Sequence, residues 1–125
     1  MSNDSVHYEL HETIAVIRLD DGKANAVSHA LINDLTAGLA RAAQEAKAVI
    51  LTGRPGRFSA GFDLSVLNSG SDAARALVTA GAKMLLQIFT HPQPVIAAST
   101  GERYLSTPLA AKAHAEVFNL TADEI

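Results

Sequence analysis

The sequence predicts an α/β fold, and two patterns in it support this class. Short apolar runs of strand length, such as residues 48–52 and 94–98, alternate with longer stretches in which apolar residues recur at helical spacing. Strands that alternate with helices of this length form βα units, the repeating element of α/β proteins. With 125 residues, 48% of them apolar, the chain is long enough to bury the core of one small domain.

Two short strands are expected near the start of the chain. Residues 6–10 alternate apolar and polar side chains, and residues 13–19 are rich in β-branched ones. His11-Glu12 is the expected hairpin turn between them. Asp20-Asp21-Gly22 then supplies turn-forming residues that end the second strand.

The first long helix is expected from Ser28 to about Glu45 or Ala46, with Ser28 as its N-cap. Its apolar stripe consists of residues at helical spacing, namely Leu31, Leu35, Leu39 and Ala42. The continuous apolar run over residues 48–52, ended by Gly53, is then expected to be a strand that is covered on both faces.

The middle of the chain is expected to hold a loop and two further helices. The loop spans residues 54–62, a short helix begins at Asp63, and a longer one runs from Ser71 to about Thr90. The buried stripe of the longer helix is expected to contain Leu77, Met84, Leu85 and Ile88. Prolines at 92 and 94 stop this helix, and one more buried strand follows at 94–98.

The last residues carry helix-start signals. Thr107-Pro108 supplies a suitable N-cap and first residue for a helix over 109–118. Residues 121–124 then have the S/T-x-x-E spacing of a capping box, but only Ile125 follows them. The tail is therefore either the start of a further helix or a frayed polar terminus.

Composition and charge exclude several classes of function. The formal net charge of −3 gives no electrostatic footprint for nucleic acid. The absence of cysteine excludes disulfides and cysteine-ligated metals, and it agrees with a cytosolic setting. The polar N-terminus has no signal-peptide core, and no apolar run approaches the roughly 20 residues that span a bilayer. We therefore expect a soluble, cytoplasmic protein with neither nucleic acid nor a membrane as its partner.

The segment from Gly53 to Asp63 is the part of the chain best suited to bind a ligand. A buried strand ends there, a turn with glycine and proline follows, and a helix begins, so amides without helical partners point outward. Together with the helix dipole, these amides favour an anion, and Gly61 permits a close approach or a positive φ. The alternative is an ordinary connection in which Asp63 is only an N-cap.

The same segment resembles the signature of a known family. Phe58-Ser59-Ala60-Gly61-Phe62-Asp63-Leu64 is similar to the signature of the crotonase (enoyl-CoA hydratase/isomerase) superfamily. The segments at 14–19, 23–26 and 94–98 resemble further landmarks of that family in the same order, so the resemblance covers residues 6–101. It implies an incomplete, crotonase-like ββα spiral, which forms an acyl-CoA-binding domain over 1–101 and is followed by a non-matching helical tail over 102–125.

The resemblance also implies roles for individual residues. In the family, the amide that follows the motif glycine donates to the thioester carbonyl oxygen of acyl-CoA and stabilises an enolate oxyanion, and here that amide belongs to Phe62. The residues implied to hold CoA are Lys23, Ala24, Asn25, Arg57, Ala60 and Gly61. Cationic side chains, here Lys23, Arg54 or Arg57, suit the CoA phosphates, and the alternative for each is a solvated surface charge. No cofactor is implied beyond the CoA of the substrate.

The resemblance ends near Glu102. In the family, a glycine five residues beyond the position of Gly101 donates a second oxyanion amide and a catalytic glutamate follows three residues later, but here these positions hold Ser106 and Leu109. The second catalytic glutamate, and the helices through which the family forms trimers or hexamers, have no counterpart in this sequence. Without acid/base carboxylates we expect little hydratase activity.

Two hypotheses about function follow from this mismatch. In the first, the chain is a truncated or frame-altered form of an acyl-CoA enzyme of fatty acid metabolism, either a lyase or an isomerase. In the second, it is a non-catalytic module for CoA binding or subunit association. The choice between hydratase and isomerase chemistry stays open, because it depends on residues outside the matching part.

Other combinations of reactive side chains predict no site. His7 and His11 are four residues apart on or beside a strand, a separation of about 13 Å, so they cannot share a metal ion. Ser28, Ser59 and Ser65 have no Ser-His-Asp context, which argues against a hydrolase nucleophile. We therefore expect no metal site.

Overall fold

The computed structural model of the chain describes residues 5–99 and the strand Glu102–Arg103. Within these ranges the strands are β1 (Val6–His11), β2 (Ile14–Leu19), β3 (Ala26–Val27), β4 (Ala48–Thr52), β5 (Arg57–Ser59), β6 (Gly61–Phe62), β7 (Val95–Ala98) and β8 (Glu102–Arg103). The helices are α1 (His29–Glu45), α2 (Leu64–Leu67) and α3 (Ser71–Phe89). None of these helices is long and apolar enough to cross a membrane. The α/β class is confirmed, whereas the predicted helix at 109–118 and the capping box at 121–124 lie outside the described residues.

Four strands form the main sheet, in the order β1-β2-β4-β7. β1 pairs antiparallel with β2 through a hairpin that places His11 opposite Ile14. β2 pairs parallel with β4, and β4 with β7, so that Val16, Ile50 and Ile96 form one row across the sheet. The parallel pairs are connected through α1 and through α2 and α3, which makes them the βα units that the sequence predicts.

α1 covers one face of this sheet. Ser28 caps the helix as predicted, since its side-chain oxygen accepts a hydrogen bond from the amide of Leu31 at 3.2 Å. The predicted stripe is also confirmed, because Leu31, Leu35, Leu39 and Ala42 are all buried. They belong to one apolar core with sheet residues that point to the same face, among them Ala15, Ile17, Val49 and Leu51.

α3 packs against α1. Its predicted stripe is confirmed, with Leu77 and Met84 buried and the other two members partly buried. Beyond the helix, the Nε2 atom of His91 lies 2.8 Å from the carbonyl oxygen of Leu39. The side-chain amide of Gln87 donates to the carbonyl of Thr36 at 3.2 Å. These two bonds fasten the end of α3 to the middle of α1.

Residues 54–62 do not form the plain loop that their sequence predicts. They contain β5 and β6, which are three and two residues long. β6 pairs parallel with β3, with Ala26 opposite Gly61, and β5 pairs parallel with β8. Strands this short show no periodicity and form only because distant segments supply their partners, so the local pattern could not indicate them.

The hairpin turn and the outer face of the sheet also differ from expectation. The turn lies at Glu12-Thr13, one residue later than predicted, and Glu12 has a φ of 57°. On the sheet face opposite α1, Ile50 is half-buried, Ile14 is 40% exposed and Ile96 is 50% exposed. Within the described residues, the sheet is therefore well covered on one face only, not on both.

A polar cluster at the surface fastens β1 to α1. The hydroxyl of Tyr8 donates to a carboxylate oxygen of Glu45 at 2.8 Å, and the same oxygen accepts from Nε of Arg41 at 2.8 Å. The guanidinium of Arg41 lies 4.2 Å from the centre of the Tyr8 ring. Burial and the hydrogen bond to Glu45 raise the pKa of Tyr8 to about 12.

Raising the pH is therefore expected to destabilise the fold through Tyr8. Because its pKa in the folded state lies above the ordinary value of 10.0, the stabilisation from the neutral phenol is complete below about pH 10 and is lost as the pH rises through about 12. Ultraviolet absorbance should show that this phenol ionises at a higher pH in the unaltered protein than in the Glu45→Gln variant. The absorbance change that is missing in the Tyr8→Phe variant belongs to Tyr8. Ionisation of Tyr8 at its ordinary pKa would contradict the hydrogen bond to Glu45.

Candidate functional site

The candidate site is built on a tight hairpin that follows β4. The backbones of Arg54 and Arg57 exchange hydrogen bonds of 3.0 and 3.1 Å around a Pro-Gly turn, in which Gly56 has a φ of 78°. A Cβ atom at Gly53 would lie 2.7 Å from the Cα of Phe58, so glycine is needed for the two segments to approach this closely. The fully buried side chain of Phe58 anchors the hairpin in the core.

The pairing of β6 with β3 determines the direction of one backbone amide, that of Phe62. Gly61 has a φ of 86°, in the region that favours glycine. Its amide donates to Oγ of Ser59 at 3.1 Å, and the amide of Asp63 donates to the carbonyl of Val27 at 3.0 Å, so both are directed to the β3 side. In the parallel pairing of Val27 with Phe62, in which the carbonyl of Val27 accepts from Asp63, the carbonyl of Gly61 is directed toward β3. Because the carbonyl and the N–H of one trans peptide point in opposite directions, the amide of Phe62 is directed away from β3.

Asp63 is the N-cap of α2. Its Oδ1 atom accepts from the hydroxyl of Ser65 at 2.6 Å and from the amide of the same residue at 3.0 Å. The hydrogen bond from the Ser65 hydroxyl is the main cause that lowers the pKa of Asp63. A carboxylate that stays ionised and is used as a cap is poorly suited to act as a general acid.

A second loop, over residues 20–25, lies against the hairpin. The amide of Ala60 donates to the carbonyl of Ala24 at 2.9 Å, so the two segments that the resemblance assigns to CoA are side by side. The loop is shaped by Asp21, whose Oδ1 atom accepts from the amide of Lys23 at 2.7 Å. Both Lys23 and Ala60 are exposed, so a ligand can reach them.

Asn25 lies between the two loops with its side chain fully buried. Its Nδ2 atom donates to the carbonyls of Leu19 and Phe58 at 2.8 and 3.0 Å, and its Oδ1 atom accepts from the amide of Asp21 at 2.9 Å. Its φ of 54° is in the left-handed region, which asparagine adopts more readily than most residues. The side chain therefore acts inside the protein rather than on a ligand, a role that the sequence did not indicate.

The basic side chains near the site differ in how exposed they are. Arg54 is bound within the protein, with its Nε atom 3.0 Å from Oδ1 of Asp20 and a guanidinium nitrogen that donates to the carbonyl of Lys23. Lys23 and Arg57 are exposed on the second loop and on the hairpin. Arg54 thus joins the two loops, and the other two are the more accessible of the predicted phosphate contacts.

The site offers amide donors and cations rather than paired acid and base groups. The carboxylates of Asp20, Asp21 and Asp63 all accept hydrogen bonds from neighbouring backbone amides. Across the part of the chain that the structure describes, no group of three or more His, Asp or Glu side chains could hold a metal ion. Such an arrangement can orient and stabilise an anion, but none of these three carboxylates is placed as a proton donor.

The ring of Phe62 fits into a notch in α3. A Cβ atom at Gly81 would come within 2.5 Å and 2.7 Å of two ring carbons of Phe62, so glycine leaves the room that the ring occupies. This glycine lies inside a helix, where it costs roughly 0.5 to 1 kcal/mol relative to alanine. Gly38 in α1 is a matched case with more room, because its Cβ would meet Ile17 at an ordinary 3.5 Å.

Alanine at these two glycines is expected to have different effects. Gly38→Ala should raise the free energy of unfolding by roughly 0.5 to 1 kcal/mol, because alanine favours the helix and its methyl group fits. Gly81→Ala should raise the free energy of unfolding by less than Gly38→Ala does, or should lower it, since the ring of Phe62 must move. Urea unfolding measures the free energy of unfolding of both variants. When Phe62→Leu is also present, Gly81→Ala should stabilise the protein more than it does beside the phenylalanine ring. Equal gains at the two glycines would contradict the contact.

Comparison with known proteins relates the chain to one family. The family model described as Enoyl-CoA hydratase/isomerase matches residues 9–104. A Rhodobacter capsulatus protein named "Probable enoyl-CoA hydratase" is 38% identical over 103 residues, which cover 81% of this chain and 40% of that protein. The human "Peroxisomal bifunctional enzyme" is 34% identical over 94 residues, which cover 74% of this chain and 12% of the enzyme. The chain thus spans two fifths or less of the length of these relatives.

Solved structures show the same relation. An enoyl-CoA hydratase/isomerase family protein from Pseudomonas syringae matches with a TM-score of 0.77 and 38% identity, over 79% of this chain and 43% of its own. An enoyl-CoA isomerase from Mycobacterium tuberculosis matches with a TM-score of 0.72 and 34% identity, over 78% of this chain and 42% of its own. These likenesses confirm the fold that the resemblance implied, while the predicted domain boundary at residue 101 stays a prediction.

Proposed function

We propose that this chain, which belongs to the enoyl-CoA hydratase/isomerase family, binds an acyl-CoA thioester at the loop over residues 57–63. The observation that supports this most is the direction of the Phe62 amide. The parallel pairing of Val27 with Phe62 directs the carbonyl of Gly61 toward β3, so the Phe62 amide of the same trans peptide is directed away from that strand. In this proposal it donates to the carbonyl oxygen of the thioester.

The rest of the CoA molecule would lie along the two adjacent loops. Ala24 and Ala60 are joined through their backbones at 2.9 Å, which supports a continuous surface between the loops. Lys23 and Arg57 are exposed on this surface, where their charges suit the phosphates of CoA. Asn25 would contribute by holding the shape of the loop.

The chemistry proposed for the site is stabilisation of an oxyanion. When negative charge develops on the thioester oxygen, a fixed amide stabilises that charge more than it stabilises the neutral carbonyl. Hydration of an enoyl thioester also needs carboxylates that activate water. Because Asp63 is used as a cap and Asp20 and Asp21 stabilise their own loop, we propose that this chain alone hydrates enoyl-CoA poorly.

A second candidate function is a non-catalytic module for CoA binding or subunit association. Leu86 and Phe89 are 61% and 64% exposed, and their spacing places them on one face of α3. Ile96 on the open face of the sheet is 50% exposed. Large apolar side chains exposed in this way favour contact with another protein.

Calorimetric titration with CoA and with crotonyl-CoA tests the proposed function. Both ligands are expected to bind, and crotonyl-CoA more tightly, since only the thioester offers the carbonyl to Phe62. Turnover of crotonyl-CoA in the same sample is expected to stay close to the uncatalysed rate. Failure of both ligands to bind would overturn the proposed binding site, and rapid hydration would overturn the proposed low activity.

A further inference from the structure

We propose that Ser59 and Asn25 are positioning residues that direct the Phe62 amide toward its ligand, an inference that rests on the proposed function. The side chains of both residues are polar and 0% exposed. A buried polar group is unfavourable unless it is hydrogen-bonded, so the bonds of these two residues define what they do.

Ser59 connects two backbone groups through its hydroxyl. The hydroxyl donates to the carbonyl of Asn25 at 2.8 Å and accepts from the amide of Gly61 at 3.1 Å. The second bond holds the Gly61 amide on the β3 side while Gly61 has a φ of 86°. Gly61 joins this peptide to the one that carries the Phe62 amide, so holding the amide and the φ of Gly61 restricts the direction of the Phe62 amide, which the pairing with β3 turns away from that strand.

Asn25 holds the other end of this connection. Its own carbonyl is the acceptor for Ser59, and its side-chain amide donates to the carbonyl of Phe58 at 3.0 Å. Phe58 directly precedes Ser59 in β5. Asn25 therefore fixes both the main chain before Ser59 and the hydroxyl of Ser59, and through them the peptide at Gly61.

The two residues would act on one part of the ligand only. Neither side chain is exposed, so neither can touch acyl-CoA directly. The group whose direction they set is the amide of Phe62, and the atom that this amide meets is the thioester carbonyl oxygen. Loss of the Ser59 hydroxyl should therefore weaken the interaction with the carbonyl and leave the contacts with CoA in place.

The test compares Ser59→Ala with the unaltered protein by two measurements. One is the Kd for CoA and for butyryl-CoA, and the other is the infrared stretching frequency of an isotope-labelled thioester carbonyl in bound butyryl-CoA. We expect Ser59→Ala to weaken butyryl-CoA binding about three- to tenfold, as for one lost hydrogen bond, and to change CoA binding by less than about twofold. The carbonyl frequency should move toward its value in the free ligand.

Ser69→Ala is the matched control. Its hydroxyl also donates to a backbone carbonyl, that of Val66 at 2.7 Å, but the residue is exposed and lies outside the site. This control should change neither Kd nor the carbonyl frequency. If Ser59→Ala does not fold, Ser59→Cys keeps a weaker hydrogen-bonding group of similar size, and its carbonyl frequency should lie between the bound and free values.

Three results are distinguishable. A shifted carbonyl frequency with an unchanged affinity for CoA supports the positioning role. An unchanged frequency in the Ser59 variants, or an equal loss of affinity for CoA and butyryl-CoA, overturns it. If the unaltered protein binds neither ligand, the proposed function is overturned together with the positioning role, and that result appears before any residue is changed.

Discussion

Replacing Asn25 with alanine is expected to lower the free energy of unfolding by about 3 kcal/mol or more. The carbonyls of Leu19 and Phe58 and the amide of Asp21 would lose partners that now lie 2.8, 3.0 and 2.9 Å away. The side chain is 0% exposed, so water does not readily replace it. Alanine also tolerates the φ of 54° less well than asparagine. Urea unfolding followed by circular dichroism measures the loss.

Two control variants separate the causes of this loss. Asn33→Ala makes the same change at an exposed position of α1 and should alter stability by no more than about 0.5 kcal/mol. Asn25→Gly keeps the positive φ without strain but removes the same hydrogen bonds, so it should be nearly as unstable as Asn25→Ala. A loss below about 1 kcal/mol in both Asn25 variants would show that the buried bonds contribute little.

Valine at position 61 is expected to remove the additional affinity that acyl-CoA has over CoA. Gly61 has a φ of 86°, which a β-branched residue adopts only with strain, and the position is buried. Relief of this strain would rotate the peptide that carries the Phe62 amide. The fold itself should lose about 1 to 3 kcal/mol, so the Kd is measured by calorimetry well below the melting temperature of the variant.

Gly70→Val is the matched control for this change. Gly70 has a φ of 144° before α3, and a Cβ atom there would meet nothing within 4 Å. The variant should therefore be strained but should still bind acyl-CoA with nearly the affinity of the unaltered protein. Loss of binding in both variants would point to general destabilisation instead of a local effect at the loop over 57–63.

The longer elements of the fold could be predicted because each carries its own pattern. Ser28 and the apolar stripe that follows it define α1, and the run at 48–52 defines β4. The short strands β3, β5 and β6 have no such pattern, since each exists only through pairing with a segment far away in the chain. The outer face of the sheet could not be predicted either, because the apolar run of β4 does not reveal what covers it.

The resemblance predicted which residues form the candidate site, but not the hydrogen bonds between them. The resemblance pointed to Gly61 and Phe62, and the role proposed for the Phe62 amide stays a prediction. Nothing local indicated that the hydroxyl of Ser59 would reach the carbonyl of Asn25, 34 residues away in sequence. Likewise, Arg54 and Lys23 were predicted alike as phosphate contacts, because nothing local indicated the ion pair between Arg54 and Asp20 that joins two loops.

The central claim is that the loop over residues 57–63 binds acyl-CoA through the Phe62 amide. Its most direct test is the change in melting temperature that a saturating acyl-CoA causes in the unaltered protein and in Gly61→Val. A ligand that binds the folded state raises the melting temperature, so we predict a rise that grows with ligand concentration in the unaltered protein and is reduced in Gly61→Val to the rise that CoA alone causes. No rise in the unaltered protein, or an equal rise in the variant, would contradict the claim.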